Sequence, residues 1–267
     1  MLNNDMLRKN AKRVFVSIIV YIKVVITVTK IIASLQDADK KIFFNQVLTD
    51  INLTVKAGEI VGLIGPEESG KTTCLRCLIG MEDLTDGKAH VLDEQMPKRK
   101  MLSKIGYMGQ EAAIYGTMTA HENMVFFGKL KNLKGQELKS EIDKNLKLVG
   151  LHETGSNKVS KFSGDMKRRL SLAIALLGRP KLIVLDEPGA GINPELRLSV
   201  WNHLRTLADE GAGIIAAAQG MSGVEQYDRV VLLNKGRIVA AGRPEALMNE
   251  YKAASIEEVF INMEAVT

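Results

Sequence analysis

Three observations in this 267-residue chain predict an α/β fold. A strand-length apolar run, Glu59-Ile60-Val61-Gly62-Leu63-Ile64, leads through a glycine-bounded turn into a helix-like stretch from Thr72 to Ile79. Leu182 to Leu185 is apolar without interruption, which leaves no face for water and marks a strand buried on both sides. A composition of 46% hydrophobic and 25% charged residues, with no repeat or low-complexity run, suffices for one large α/β domain with subdomains.

In chain order, the residues from Val14 to Ile32 are almost wholly apolar, interrupted by Lys23 and Lys30, and follow Arg8, Lys9, Lys12 and Arg13. A membrane-spanning helix is disfavoured, because each central lysine costs about 2.5 to 3.5 kcal/mol and the preceding basic residues would send the rest of the chain outside. The β-branched content favours strands. We therefore expect Val24 to Ile32 in an antiparallel β-subdomain, with an extra strand or a membrane-leaning extension before it. Phe43 and Phe44, between apolar neighbours, are expected in the core. Val47 to Val55 alternates as a half-exposed strand. Cys74 and Cys77 form a C-x-x-C, but no second pair or histidine pair completes a zinc site, and these two cysteines give no disulfide framework, so buried packing in a reducing cytoplasm is expected. Gln136 to Leu148 has a helical pattern with Gly150 as its stop, and His121 nearby has no partner at metal spacing. Ser163 suits an N-cap, with Asp165 in the first turn that follows. Asp228 to Val239 reads as two strands joined by a glycine turn, and a short helical tail ends the chain.

The turn after the first run is Gly65-Pro66-Glu67-Glu68-Ser69-Gly70-Lys71-Thr72, which fits the phosphate-binding pattern G-x-x-x-x-G-K-[ST] with a strand before it and a helix after. Glycines let the backbone N–H groups of such a loop, continued here by Thr73, converge on phosphate oxygens, and the helix start adds partial positive charge. Lys71 is expected to reach the β- and γ-phosphates of ATP and Thr72 to coordinate Mg²⁺. The strand ending at Leu185 delivers Asp186 and Glu187 to its carboxyl end, where ligands of open α/β sheets bind. Asp186 is expected to hold Mg²⁺ and Glu187 to act as general base on water.

With Phe162-Ser163-Gly164-Asp165-Met166 between these two elements, the chain resembles the nucleotide-binding domain of ABC transporters from about Val25 to Leu247. That stretch looks like the family's Leu-Ser-Gly-Gly-Gln signature, and Tyr107-Met108-Gly109-Gln110 looks like its glutamine loop. Pro188 to Pro194 resembles the loop after the catalytic glutamate. The resemblance implies a P-loop NTPase (RecA-like) core with an antiparallel β-subdomain and a helical signature subdomain at about 111–165. It also implies that Gln110 senses Mg²⁺ and contacts a membrane permease subunit. Ser163 and Gly164 would face ATP held by a second ATP-binding subunit, in a homodimer or heterodimer. Ile105 to Glu111, Glu122 to Gly128 and Ile256 to Phe260 resemble the exporter branch, and Phe43 or Phe44 lies near where relatives stack an aromatic on adenine.

Departures from the family pattern cluster around one site. Gln219 stands where the family places its switch histidine, and an amide donates a hydrogen bond but carries no proton or charge. Asp165 replaces a signature glycine, Glu67 and Glu68 replace Asn-Gly inside the phosphate loop, and Asn193 replaces an aspartate. Together they suggest slow hydrolysis, or a degenerate subunit that pairs with an active paralogue; the second alternative is a soluble ABC protein unconnected to transport.

The net charge of +5 suits an anionic membrane surface. Lys98-Arg99-Lys100, Lys104 and Lys167-Arg168-Arg169 carry no interleaved aromatics, so nucleic acid is not expected and these clusters read as solvated faces. The expected organisation is an N-terminal extension (1–23), an ATP-binding domain (24–247) and a helical tail (248–267), peripheral on the cytoplasmic face of the cell membrane.

Overall fold

The computed structural model describes residues 30–189, 192–219 and 223–264. Two sheets organise it. Strands β1 (Ile31–Ile42), β2 (Asn45–Lys56), β4 (Asp86–Val91) and β5 (Glu94–Gln95) form a four-stranded antiparallel sheet in the order β2-β1-β4-β5. Alternation in β2 puts Ile51, Leu53 and Val55 inside, and Leu48 joins them across an irregularity at Asp50, which has φ 50°.

The second sheet has six strands: β3 (Ile60–Ile64), β6 (Ile105–Met108), β7 (Leu182–Asp186), β8 (Gly213–Ala218), β9 (Arg229–Asn234) and β10 (Arg237–Gly242). Its order is β10-β9-β3-β8-β7-β6, parallel from β9 to β6, with β10 returning antiparallel through the Lys235-Gly236 turn. Both turn residues have positive φ, 44° and 73°, the twist that a two-residue hairpin requires.

The apolar runs of β3, β7 and β8 serve two cores at once. Ile60, Ile64, Ile183, Leu185, Ile214 and Ala216 face one core, while Val61, Leu63, Leu182, Val184, Ile215 and Ala217 face the other. The second core is closed by the antiparallel sheet and helix α1 (Lys71–Leu78), which buries Cys74 and Cys77. Burial pushes the Cys74 thiol up to about 12 and that of Cys77 to about 11, so both are packing groups. The first core is closed by α2 (Ala120–Leu130), α3 (Gly135–Leu148), α4 (Gly164–Ala175) and α5 (Pro194–Asp209). Residues of the C-terminal helices α6 (Pro244–Glu250) and α7 (Ile256–Glu264) also pack there, among them Leu247, Ile256 and Val259. Thr119 and Glu122 form a reciprocal capping box at the start of α2, and Gly150, at φ 63°, follows the end of α3.

Three expectations need correction. Phe43 and Phe44 are 95% and 101% exposed, because they form the tight turn between β1 and β2 and project away from both strands. The first strand runs from Ile31 to Ile42, further than its sequence suggests. Its polar stretch from Gln36 to Lys41 contains bulges between Leu35 and Ala38 and beyond, which break the period-two pattern. The reading of residues 1–29 lies outside the described residues. Lys167-Arg168-Arg169 is not a solvated face: Arg169 donates to Val149 O (3.0 Å) at the end of α3, and Arg168 reaches the carboxylate end of β7.

Candidate nucleotide-binding site

The parallel register brings the predicted residues to one edge of the sheet. Ile64 is opposite Ala218, Ala217 is opposite Asp186, and Leu185 is opposite Met108. Gly65, Gln219, Glu187 and Gln110 therefore each lie one or two residues past the carboxyl end of neighbouring strands, spaced by about 4.8 Å per strand. The loop after β3 turns there because its glycines permit it. A Cβ on Gly65 would sit 2.1 Å from Leu233 O, and Gly70 has φ 100°.

Within the loop, the Lys71 ammonium donates to Gly65 O (2.8 Å) and Pro66 O (2.6 Å), with Ser69 Oγ at 3.5 Å. Burial lowers the pKa of Lys71, and the carboxylates of Glu187, Asp186 and Glu67 oppose that shift. Thr72 Oγ1 donates to Asp186 Oδ2 at 2.7 Å, and Asp186 is only 2% exposed. This hydroxyl and carboxylate form an all-oxygen set of the kind Mg²⁺ prefers, and no side chain caps the start of α1, so its first N–H groups fit an anion. Pro66, Glu67 and Glu68 are exposed, so the two carboxylates face outward from the loop.

Glu68 has φ 60°, a left-handed conformation suited to glycine. Glu68→Gly removes that strain and a negative charge beside the anion site. At a separation of roughly 6 Å in water the charge effect is about 0.7 kcal/mol, roughly threefold in affinity. ATP titration at low salt should show this tightening with no loss of thermal stability; unchanged affinity would mean that the carboxylate is fully screened.

Glu187 has φ 55° and its N–H donates to Ala217 O (2.9 Å) on β8. Glu187 and Gln219 line a cavity of about 580 Å³ together with Trp201 and Tyr227, whose rings meet edge to face at 5.4 Å. Gln110 and Gln219 are both exposed. Ser163 caps α4, its hydroxyl accepting from Met166 N (3.2 Å), with Asp165 exposed in the first turn. A Cβ on Gly164 would meet nothing within 4 Å, so this face is open. Asn193 caps α5 by accepting from Leu196 N at 2.8 Å; residues 190 and 191 of its loop lie outside the described residues.

Sequence reasoning missed Arg168, which donates to Glu187 O. The signal was available: Arg168, Leu172 and Ala175 recur at helical spacing, and the latter two are buried.

Residues 48–190 match the family model described as ABC transporter. The chain is 36% identical over 217 residues to Nod factor export ATP-binding protein I of Rhizobium johnstonii, covering 80% of this chain and 70% of that protein. It is 33% identical over 221 residues to Linearmycin resistance ATP-binding protein LnrL of Bacillus subtilis, covering 81% and 70%. A solved structure of an ATP binding subunit of an ABC transporter shares the fold, with a TM-score of 0.82 at 22% identity over 87% of this chain and 99% of that one.

Proposed function

The chain belongs to the ABC transporter family, and on that premise we propose that it is the ATP-binding subunit of an exporter, coupling ATP binding and hydrolysis to a separate membrane permease. The observation that carries this reading is the convergence of Lys71, Thr72, Asp186 and Glu187 at the carboxyl edge of the six-stranded sheet, where the Thr72 hydroxyl already meets Asp186.

In this reading the loop from Gly65 to Thr73 wraps the phosphates, and Lys71 exchanges its two loop carbonyls for β- and γ-phosphate oxygens. Thr72 and Asp186, with Gln110, would hold Mg²⁺, which would neutralise charge on the phosphates. Glu187 accepts a proton from the attacking water, and Gln219 donates a hydrogen bond toward the γ-phosphate. Phe43 and Phe44 offer exposed rings for adenine. The open Ser163 and Gly164 face closes on the ATP of a second ATP-binding subunit. Tyr115, Phe126 and Phe127 form an aromatic cluster, with ring centroids 5.0 to 6.1 Å apart, beside which the permease docks. Among the described residues no helix is long and apolar enough to cross a membrane. In this reading the subunit works on the cytoplasmic face, against its permease.

Phosphate release from Mg²⁺-ATP by the purified chain tests the reading, with nucleotide binding followed through Trp201, the sole tryptophan, which lines the Glu187 cavity. Binding no tighter than that of Lys71→Ala would overturn it. Gln219 favours a second reading, a subunit that binds ATP but needs an active paralogue for turnover. Turnover by the purified chain alone separates the two, because the degenerate subunit binds ATP without hydrolysing it. If the missing switch is limiting, Gln219→His raises kcat by about tenfold, less than a full acid–base contribution because Glu187 remains the base. No gain, with intact ATP binding, shifts suspicion to Asp165.

A further inference from the structure

Glu187 adopts a left-handed backbone at φ 55°, which a residue with a Cβ holds only when its surroundings enforce it. Both of its main-chain polar groups are tied. Its N–H donates to Ala217 O at 2.9 Å, on the strand that leads to Gln219. Its C=O accepts from Arg168 Nη2 at 2.9 Å, and the same nitrogen lies 3.9 Å from Glu187 Oε2. A guanidinium has donors enough to serve carbonyl and carboxylate from one position.

Two features argue against simple packing glue. Arg168 Nε is buried without a hydrogen-bond partner, a cost that a contact serving stability alone would avoid. Arg168 also stands on the second turn of α4, whose first turn follows the Ser163 cap and carries Gly164 and Asp165. Any rotation of that helix carries the guanidinium with it.

We propose that Arg168 is a positioning residue for hydrolysis: from the signature helix it grips the Glu187 main chain and sets the direction of the carboxylate. The proposal rests on Glu187 being the base. It implies that engagement of Ser163 and Gly164 with ATP across a dimer is transmitted, within the same subunit, to the base of the other ATP site.

The test compares steady-state Mg²⁺-ATP hydrolysis, ATP affinity and thermal midpoint for the wild type, Arg168→Gln, Arg168→Lys and Glu187→Gln. Arg168→Gln should lower kcat by about tenfold to a hundredfold, as expected for a misdirected base, with KM for ATP and thermal midpoint unchanged. Arg168→Lys should recover part of kcat, because an ammonium can still donate to the carbonyl. Unchanged kcat in both Arg168 variants, beside a Glu187-dependent wild type, overturns the proposal. So does a parallel fall of kcat, ATP affinity and thermal midpoint, which would make Arg168 merely structural. Wild-type turnover that survives Glu187→Gln instead removes the assignment of the base, and the proposal with it.

Discussion

Lys71→Ala should weaken ATP binding by about a hundredfold while leaving the fold intact. Each hydrogen bond from an ammonium to a charged acceptor contributes roughly 1.5 to 3 kcal/mol, and Lys71 is placed to reach two phosphates, so about 3 kcal/mol is at stake. The loop itself should survive. Lys71 bonds Gly65 O and Pro66 O, and Pro66 lies exposed, where water can take over an abandoned carbonyl. Burial lowers the Lys71 pKa below 10.5, so the folded chain releases this proton more readily than the unfolded chain. Between the lowered value and 10.5 the unfolded state binds more protons, and this lysine's contribution to stability rises with pH there. ATP affinity of the free protein should move oppositely, declining as the ammonium is lost. Isothermal titration of both proteins with Mg²⁺-ATP, alongside thermal unfolding, checks the prediction; equal affinities would remove the phosphate-loop assignment.

Legibility in the sequence followed locality. The strand from Leu182 and the loop from Gly65 were readable because four apolar residues in a row, or glycines at fixed spacing, constrain the chain within a few residues. The Ser163 cap was equally local, and its hydroxyl does bond Met166 N. The bulged strand after Ile31 was hidden because its polar bulges are stabilised by pairing with β2 and β4, which no local pattern reports. Phe43 and Phe44 misled for the opposite reason: apolar neighbours suggest burial, but a two-residue turn points side chains outward whatever their hydropathy. The spacing of Arg168 with Leu172 and Ala175 put it beside the buried face of its helix, but its partner was not readable, because the contact is tertiary, nineteen residues along the chain between a helix and the end of a strand. The spread of the site across β3, β6, β7 and β8 also depends on strand order, which places β8 between the loop strand and the carboxylate strand.

Glu187→Gln should abolish turnover while preserving ATP binding, and so hold the protein as an ATP-bound dimer. The amide matches the carboxylate in size and still bonds water, but it accepts no proton, and loss of a general base costs roughly a hundredfold or more. The left-handed backbone should persist, because it is held through Glu187 N and O rather than through the carboxylate. Two electrostatic effects on affinity oppose each other. Removing a negative charge beside the phosphates favours ATP, yet Glu187 is the largest of the charges that keep Lys71 protonated, and its loss makes that cation less secure. Because they act in opposite directions, ATP binding should be preserved. Size-exclusion chromatography with light scattering, under saturating Mg²⁺-ATP, reads the assembly. A dimer in Glu187→Gln that dissociates when nucleotide is removed supports a sandwich closed by Ser163 and Gly164. A persistent monomer that binds ATP would count against closure between copies of this chain and would point to a distinct subunit as its partner. Turnover equal to the wild type would show that the proton leaves water by another route, and the cavity shared by Glu187 and Gln219 is where that route would be sought.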